Sequence, residues 1–181
     1  VQLDRVLVLR LVEVSDRSGD STSRVLAALA DQWDLVGLHD ADQIDLVGLL
    51  SVHDVLTVAV RDNRRIVAAW PGLVDRALGV AIDVGSTTIA GHLCDLATGE
   101  ILSSAGAMNP QIRFGEDLMS RVSYVMMNPG GEVELTSSVR ATIDGLIGEL
   151  CHEADAARDE VLELTLVGNP IMHHLFLGLN P

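Results

Sequence analysis

The chain is poor in cysteine and in aromatic residues. Its two cysteines, Cys94 and Cys151, are too few for a disulfide framework and lack the spacing of a zinc site. Both fall in apolar segments, where a cysteine is typically a small core residue. Aromatic residues make up only 3% of the sequence, so the core must consist of Val, Leu, Ile and Ala, as is common in buried α/β sheets.

Basic residues are also scarce, because 12 Lys and Arg stand against 26 Asp and Glu. The resulting net charge of −14 argues against a nucleic-acid partner, since phosphate backbones are bound by basic surfaces. The acidity favours solubility, and a docking face for a basic partner stays open.

Long apolar runs are missing as well. No run approaches the roughly 18–20 residues that a membrane span needs, which argues against a membrane association. No signal-peptide pattern precedes the first strand-like segment. Because the chain starts at Val1 rather than at Met, we expect an internal piece of a longer, cytoplasmic protein.

Residues 1–78 predict a small α+β domain that ends in a linker. Its elements are a strand at 6–14, a helix that Asp20 or Ser21 caps and that ends near Trp33, a weaker helix at 40–50, and strands at 55–60 and 66–70. The polar turn between the last two strands predicts a hairpin.

Residues 79–181 predict a second domain with strands and helices. Its elements are strands at 80–82, 88–95 and 100–107, a helix at 118–126, a helix from Thr136 or Ser137 to Leu150, a strand at 160–167 and a short helix from Pro170. The connections between the first three strands are short, so these strands are expected to be antiparallel. The chain as a whole is therefore assigned to the mixed α/β class.

The turn after the strand at 80–82 contains the residues that point to chemistry. The strand delivers Asp83 at its end, and Gly85 allows backbone amides to approach a bulky anion. Ser86, Thr87 and Thr88 add hydroxyl donors, and a series of N–H and O–H donors in a tight turn can cradle a phosphate. A carboxylate beside a phosphate is repelled unless Mg²⁺ lies between them. A plain hairpin turn stays open, and no Lys follows the glycine as in a Walker loop.

Three further places in the sequence are candidate sites. Adjacent residues on a helix point about 100° apart, so His173 and His174 are expected to serve packing or helix-end bonding rather than to share a metal. Arg113 and Asp117 lie around a helix start, where an ion pair or a cap is the simpler role and a place in a cleft the alternative. Asn169 follows a strand end and either faces a ligand cleft or makes a turn.

The chain resembles a known family in three segments. Asp83-Val84-Gly85-Ser86-Thr87-Thr88 resembles the first phosphate motif of the superfamily that includes acetate and sugar kinases, heat-shock 70 chaperones and actin. Asn109–Asp117 and Val167–Gly178 resemble the reductive activators of corrinoid-dependent methyltransferase systems. The resemblance is close from Gly79 to Pro181. It is looser over residues 1–78, which resemble the middle domain of these activators.

The resemblance implies a fold, a reaction and a set of cofactors. Residues 79–181 would form the first part of a ribonuclease-H-like, actin-type ATPase domain. The full-length protein would use ATP to return an inactive Co(II) corrinoid to Co(I), with a corrinoid protein as its partner, and a homodimer is left open. ATP and Mg²⁺ are the cofactors expected here. A [2Fe–2S] cluster is expected only on an N-terminal domain outside this chain, because the cysteine spacing of its ligands is absent.

The resemblance also assigns roles to single residues. Asp83 would be the catalytic residue that orients Mg²⁺. Asn169 is a candidate nucleotide contact on other grounds, because it follows a strand end and ligands collect where strands end. The phosphates of ATP would be held by Gly85, Ser86, Thr87 and Thr88.

Departures from the family pattern leave two other functions open. The second phosphate loop and the adenosine-binding segment are expected beyond Pro181, and Pro170 stands where a small or hydroxyl residue is expected. We therefore expect this chain alone to be inactive as an ATPase. A kinase of the same superfamily, acting on a small carboxylate or sugar, is the first alternative. A non-catalytic module that docks a partner protein is the second.

Overall fold

The protein is described by a computed structural model that covers residues 7–16, 18–38 and 44–181. The chain divides into two compact units. The first comprises the chain up to Ala77 together with Leu96–Gly99, and the second comprises Leu78–Asp95 together with Glu100–Pro181. Strands and helices occur in both units, so the predicted mixed α/β class is confirmed.

The first unit contains a three-stranded antiparallel sheet and two helices. Its elements are β1 (Leu7–Glu13), α1 (Ser21–Trp33), α2 (Leu46–Val52), β2 (Val55–Arg61) and β3 (Arg65–Pro71). β2 lies in the centre, between β1 and β3. The Asp20 carboxylate accepts a hydrogen bond from the Ser23 amide, so Asp20 is the cap of α1. The predicted helix at 40–50 begins at Leu46, and residues 39–43 lie outside the described residues.

The second unit is built on a four-stranded sheet. Its elements are β4 (Leu78–Val84), β5 (Thr88–Asp95), β6 (Ile101–Met108), α3 (Leu118–Met127), α4 (Gly131–Glu153), β7 (Val161–Gly168) and α5 (Pro170–Leu177), with 3₁₀ turns at Pro110–Phe114 and Arg158–Glu160. The strand order is β6-β5-β4-β7. The first three strands are antiparallel, as predicted, and β7 is parallel to β4.

The core of the second unit lies between α4 and one face of this sheet. Strand residues on alternate positions of β4 point to the same face, and those facing α4 are buried, namely Val80, Ile82 and Val84. The helix presents apolar residues at intervals of three and four, which places them on one stripe. These are Val139, Ile143, Leu146 and Leu150. The packing fixes β4, and with it the turn that follows β4.

Helix α4 starts earlier than the sequence indicated. A cap at Thr136 or Ser137 was predicted, but the helix begins at Gly131, after Gly130 in a left-handed conformation. Acidic residues in the first turn favour this start because they complement the positive end of the helix dipole. The Thr136 hydroxyl instead donates to the Leu175 carbonyl at 2.6 Å. The cap prediction was wrong because Thr136 serves a tertiary contact.

Both cysteines carry free thiols. Cys151 is buried at the end of α4, and Cys94 in β5 is half-buried. Burial raises the pKa of each thiol, which disfavours the reactive thiolate.

Helix α4 is the longest described helix, with 23 residues. It is amphipathic, because its outer face carries charged residues such as Glu134, Arg140 and Glu149. Within residues 7–16, 18–38 and 44–181, no helix combines the length and the apolar character needed to cross a membrane.

Gly91 allows β5 and α4 to pack closely, and we predict that Gly91→Ala destabilises the second unit. A Cβ at this position would lie 2.9 Å from Ile82 Cδ1 and 3.0 Å from Leu150 Cδ1. Overpacking of this kind costs about 1–3 kcal/mol. The matched control is Gly106→Ala in β6, where the nearest atom, the Ile89 carbonyl oxygen, lies 3.5 Å away.

Urea unfolding followed by circular dichroism measures both variants. We expect Gly106→Ala to stay within about 0.5 kcal/mol of the parent chain, as an exposed substitution usually does. Equal effects of the two substitutions would show that the close approach at Gly91 contributes nothing to stability.

Candidate phosphate-binding site

The connection between β4 and β5 consists of three residues, Gly85, Ser86 and Thr87. Gly85 and Ser86 are half-buried, whereas Thr87 and the following Thr88 are exposed. Asp83, the penultimate residue of β4, is exposed as well. The turn is therefore accessible to a ligand rather than covered by neighbouring side chains.

All three carbonyl groups of this turn are held by donors from other segments. The Asn109 side-chain amide donates to the Gly85 carbonyl at 2.8 Å, and the Asn109 backbone N–H donates to the Thr87 carbonyl at 2.8 Å. The Arg121 guanidinium donates to the Ser86 carbonyl. The carbonyls consequently face Asn109 and Arg121.

Because the carbonyls are held in this direction, two backbone N–H groups of the turn point in the opposite direction. A trans peptide places its C=O and N–H groups on opposite sides, and the described residues contain no cis peptide bond. The N–H groups of Ser86 and Thr87 therefore face away from Asn109 and Arg121. Within the described part of the chain, neither of these N–H groups has a hydrogen-bond acceptor. Unpaired amides that point outward from a tight turn are donors for an anion.

Gly85 is required by the shape of the turn. A Cβ on this residue would lie 2.6 Å from the carbonyl oxygen of Thr88, which is closer than non-bonded atoms approach. Any larger residue would have to displace the backbone at the start of β5. From the sequence, Gly85 was expected to allow an anion to approach the backbone amides. The structure shows a second reason for glycine, because the Thr88 carbonyl oxygen lies too close to leave room for a Cβ.

Asp83 lies two residues before Gly85, the first residue of the turn. Because side chains alternate along β4, Asp83 lies on the exposed face of the strand, opposite the core residues Ile82 and Val84. Mg²⁺ in nucleotide sites is typically held by one or two carboxylates together with phosphate oxygens and water. A single accessible carboxylate beside the turn fits that donor set. No group of three or more His, Cys, Asp or Glu suited to a metal occurs within the described ranges.

The turn lies beside the end of β7. Val84 is in parallel register with Gly168, and a Cβ on Gly168 would lie 3.0 Å from the Val84 carbonyl oxygen. Asn169 follows and caps α5, because its side-chain oxygen accepts from the Met172 amide at 3.0 Å. The carboxyl ends of two parallel strands therefore meet here, which is where α/β sheets commonly bind ligands. Asn169 is near the turn, but its oxygen is used by the cap.

A buried polar network lies behind the turn. Asn109, Gln111 and Arg121 are between 0% and 1% exposed. The Gln111 side-chain amide donates to the Leu135 carbonyl at 2.9 Å, and its oxygen accepts from Arg121 Nη1 at 3.4 Å. Burial lowers the pKa of the Arg121 guanidinium, and the nearby Asp117 carboxylate opposes this shift. Buried polar groups that satisfy one another in this way give a rigid support.

Sequence reasoning missed Arg121. The signal was present, because Arg121 lies on the same helix face as Leu118, Val122 and Val125, whose spacing predicted the helix. A charged residue on the apolar face of a helix requires buried partners. The sequence did not show what those partners are, since they lie in the turn, in the 3₁₀ segment and in α5.

Residues around the start of α3 have structural roles, whereas the two histidines of α5 are exposed. Asp117 caps α3, because its carboxylate accepts from the Ser120 amide at 2.7 Å, and hydrogen bonds from Ser120 lower the pKa of Asp117. The Arg113 guanidinium stacks 4.6 Å from the centre of the Phe114 ring. His173 and His174 are both exposed on α5.

A separate cavity of about 220 Å³ lies in the first unit, between the end of β1 and α1. Its polar groups bond to one another. Arg24 Nε donates to the Asp16 carbonyl at 2.6 Å, and the Gln32 side chain pairs with both backbone groups of Glu13. These bonds hold the side chains of Arg24 and Gln32 against the backbone at the end of β1.

We predict that Asn109→Ala destabilises the chain by about 1–3 kcal/mol, because buried partners lose their hydrogen bonds. The Gly85 carbonyl and the Gln111 amide each bond to the Asn109 side chain. Asn128→Ala is the control, since Asn128 is exposed and donates to the Tyr124 carbonyl. Chemical denaturation of both variants provides the measurement. A smaller loss for Asn109→Ala than for Asn128→Ala would contradict the role of Asn109 as an anchor.

Comparison with known proteins identifies the family. Residues 78–181 match the sequence family described as RACo middle region. That description gives the name middle region to the second unit, whereas the sequence reasoning used the name for residues 1–78. The division of the full-length protein into named domains stays a prediction.

Two relatives have names that concern corrinoid activation. The corrinoid activation enzyme RamQ of Eubacterium limosum is 33% identical over 103 residues, which is 57% of this chain and 17% of that protein. A solved structure of a reductive activator for corrinoid, iron-sulfur protein matches all of this chain with a TM-score of 0.80 and 31% identity. The match covers 30% of that activator. The chain therefore spans less than a third of either relative.

A solved archaeal actin homolog, Ta0583, matches over 84% of this chain and 67% of its own length, with 14% identity and a TM-score of 0.30. The resemblance to reductive activators of corrinoid proteins that rested on Asn109–Asp117 and Val167–Gly178 is confirmed. Because the matched segment makes up more than half of the sequence, the chain belongs to the RACo middle region family.

Proposed function

We propose that the protein containing this chain uses ATP to reduce a corrinoid protein from Co(II) to Co(I) in a methyltransferase system. The segment from Asp83 to Thr88, which contains the turn, would bind the phosphates of ATP together with Mg²⁺. The observation that carries the proposal is the pair of outward-facing, unpaired amides of Ser86 and Thr87 in a chain of this family.

The residues of the turn fit a nucleotide tail by their donor groups. The amides of Ser86 and Thr87 and the hydroxyls of Ser86, Thr87 and Thr88 can donate to phosphate oxygens. The Asp83 carboxylate can hold Mg²⁺ directly or through water, as is common for this ion. Positioning and charge neutralisation are what phosphoryl transfer mainly requires of a protein. The donors of the turn would supply positioning, and the Mg²⁺ held by Asp83 would supply charge neutralisation. The remaining nucleotide contacts would come from other parts of the full-length protein.

The redox step would use groups outside this chain. A [2Fe–2S] cluster takes four ligands, usually cysteines, and the sequence contains only Cys94 and Cys151. A reduced cluster on another domain would pass one electron to Co(II) and so form Co(I). Weakening of an axial cobalt ligand would raise the cobalt potential and make this transfer feasible. A cytoplasmic location, where such thiols and clusters stay reduced, belongs to the same proposal.

We predict that Gly85→Ala lowers the affinity of the full-length protein for ATP·Mg²⁺ by at least about tenfold, because the Thr88 carbonyl must shift and the turn amides with it. Isothermal titration calorimetry measures the loss. Gly145→Ala is the matched control, since a Cβ on Gly145, in α4, meets no atom within 4 Å. Unchanged binding by Gly85→Ala would remove the turn from the nucleotide site.

Asp83→Asn is expected to weaken the Mg²⁺ dependence of ATP binding. The carboxylate would be lost while the shape of the side chain is kept, so the affinity with Mg²⁺ falls toward the affinity without it. Glu149→Gln makes the same charge change on the exposed face of α4. The adjacent Leu150 carbonyl accepts from Ser103 at 2.8 Å, near the end of the β5–β6 pair that is remote from the turn. Equal Mg²⁺ dependence in both variants would argue against Asp83 as a magnesium ligand.

The reaction itself can be followed by the absorbance change from Co(II) to Co(I). The assay contains the full-length protein, a corrinoid protein, a low-potential reductant and ATP. We expect reduction only with ATP, and a strong loss in Asp83→Asn. Formation of a phosphorylated carboxylate or sugar would instead support the kinase alternative. Absence of ATP binding by the full-length protein would support the docking module.

A further inference from the structure

Arg121 carries a buried positive charge without a carboxylate partner. It is 0% exposed, and within the described residues it is the only charged side chain that is buried. The guanidinium donates to four neutral acceptors. These are the carbonyls of Gly115 and Ser86, the side-chain oxygen of Gln111 and the sulfur of Met172.

Neutral acceptors satisfy the hydrogen bonds of a guanidinium but leave its charge uncompensated. A buried charge is costly unless an opposite charge lies close to it. The Asp117 carboxylate acts on the charge of Arg121, but it caps α3 and is exposed. The fold therefore keeps a positive charge immediately behind the turn.

The charge is separated from the anion-facing side of the turn by one peptide group. Arg121 Nη2 donates to the Ser86 carbonyl, and the N–H of the same peptide belongs to Thr87 and points the opposite way. From standard bond lengths, an anion accepting from that N–H would lie about 7–8 Å from the guanidinium. A hydrogen bond from a cation also polarises the peptide, which strengthens its N–H as a donor.

We propose that Arg121 is the fixed positive charge of the anion site and acts through the Ser86–Thr87 peptide. The proposal rests on the function proposed above and deepens it, because it states how the site selects its ligand. Arg121 is a positioning residue that never touches the ligand. The site then selects by negative charge placed at the turn, and inorganic pyrophosphate is a sufficient ligand.

Met172 offers a way to neutralise this charge without removing Arg121. Its sulfur lies 3.4 Å from Arg121 Nη1, and the residue is 0% exposed. In M172E the glutamate side chain is about as long as the methionine, so its carboxylate would form a buried ion pair with the Arg121 guanidinium. The guanidinium would keep its hydrogen bonds to Ser86 and Gly115. M172Q has nearly the same shape and no charge, so the two variants differ only in the neutralisation of Arg121.

The two variants are compared in the full-length protein by calorimetric titration with ATP·Mg²⁺ and with pyrophosphate. We expect M172E to bind both ligands about ten- to a hundredfold more weakly than M172Q, as one charge at that distance implies. Adenosine, which has no phosphate, should bind equally to the two variants. A purely structural disturbance would lower the affinity for adenosine as well.

The outcomes separate this proposal from the proposed function. Binding of ATP with equal affinity by M172E and M172Q overturns the role of Arg121 and leaves the function intact. Binding of pyrophosphate but not ATP by the parent protein, with the expected difference between the variants, supports Arg121 and overturns the ATP-dependent function. Binding of neither ligand by the parent protein overturns both.

A second pair of variants tests the proposal even if M172E does not fold. R121K and R121Q both lose the planar fork of donors, but only R121K can keep a positive charge. We expect R121K to bind pyrophosphate more tightly than R121Q by about tenfold. Equal affinity of R121K and R121Q would overturn the proposal.

Discussion

The second unit depends on the hydrogen bonds of one buried guanidinium. Arg121 on α3 bonds to Ser86 in the turn, to Gly115 before α3 and to Met172 in α5. A buried guanidinium with missing partners is costly, so these segments have to be in place together. The same bonds set the direction of the Ser86 carbonyl and hence of the Thr87 amide. The hydrogen bonds of Arg121 therefore do two things. They satisfy a buried guanidinium, and they orient the Thr87 amide so that it is available as a donor.

The parallel pairing of β4 and β7 is the second constraint on the site. It places Val84 beside Gly168, so that the turn and the cap of α5 lie at one edge of the sheet. The three segments that carry the family resemblance meet at this edge. Asn109 anchors the turn from the second segment, and Gly168 contacts β4 from the third. The two longer motifs are thus mainly supports of the turn, which gives a structural reason for their occurrence together with it.

Much of the fold could be predicted because its signals are local. Short connections indicated that β4, β5 and β6 are antiparallel, and alternation of apolar residues indicated β7. Residue types that cap helices indicated that α1 starts at Asp20 or Ser21. The start of α4 was misplaced because Thr136 bonds to Leu175, a contact that local sequence does not show. The role of Asn169 as a cap rather than a free side chain also depended on how β7 and α5 follow one another in space.

The sequence by itself determined that Asp83, a glycine and three hydroxyl residues follow a buried strand, because these are neighbours along the chain. It also determined that Arg121 falls on an apolar helix face. Only the tertiary structure decided that the turn is open, that its carbonyls face inward and that no carboxylate among the described residues is hydrogen-bonded to Arg121. The physical reason is that hydrogen bonds from Asn109 and Arg121, which lie 24 and 35 positions further along the chain, set the direction of each peptide in the turn.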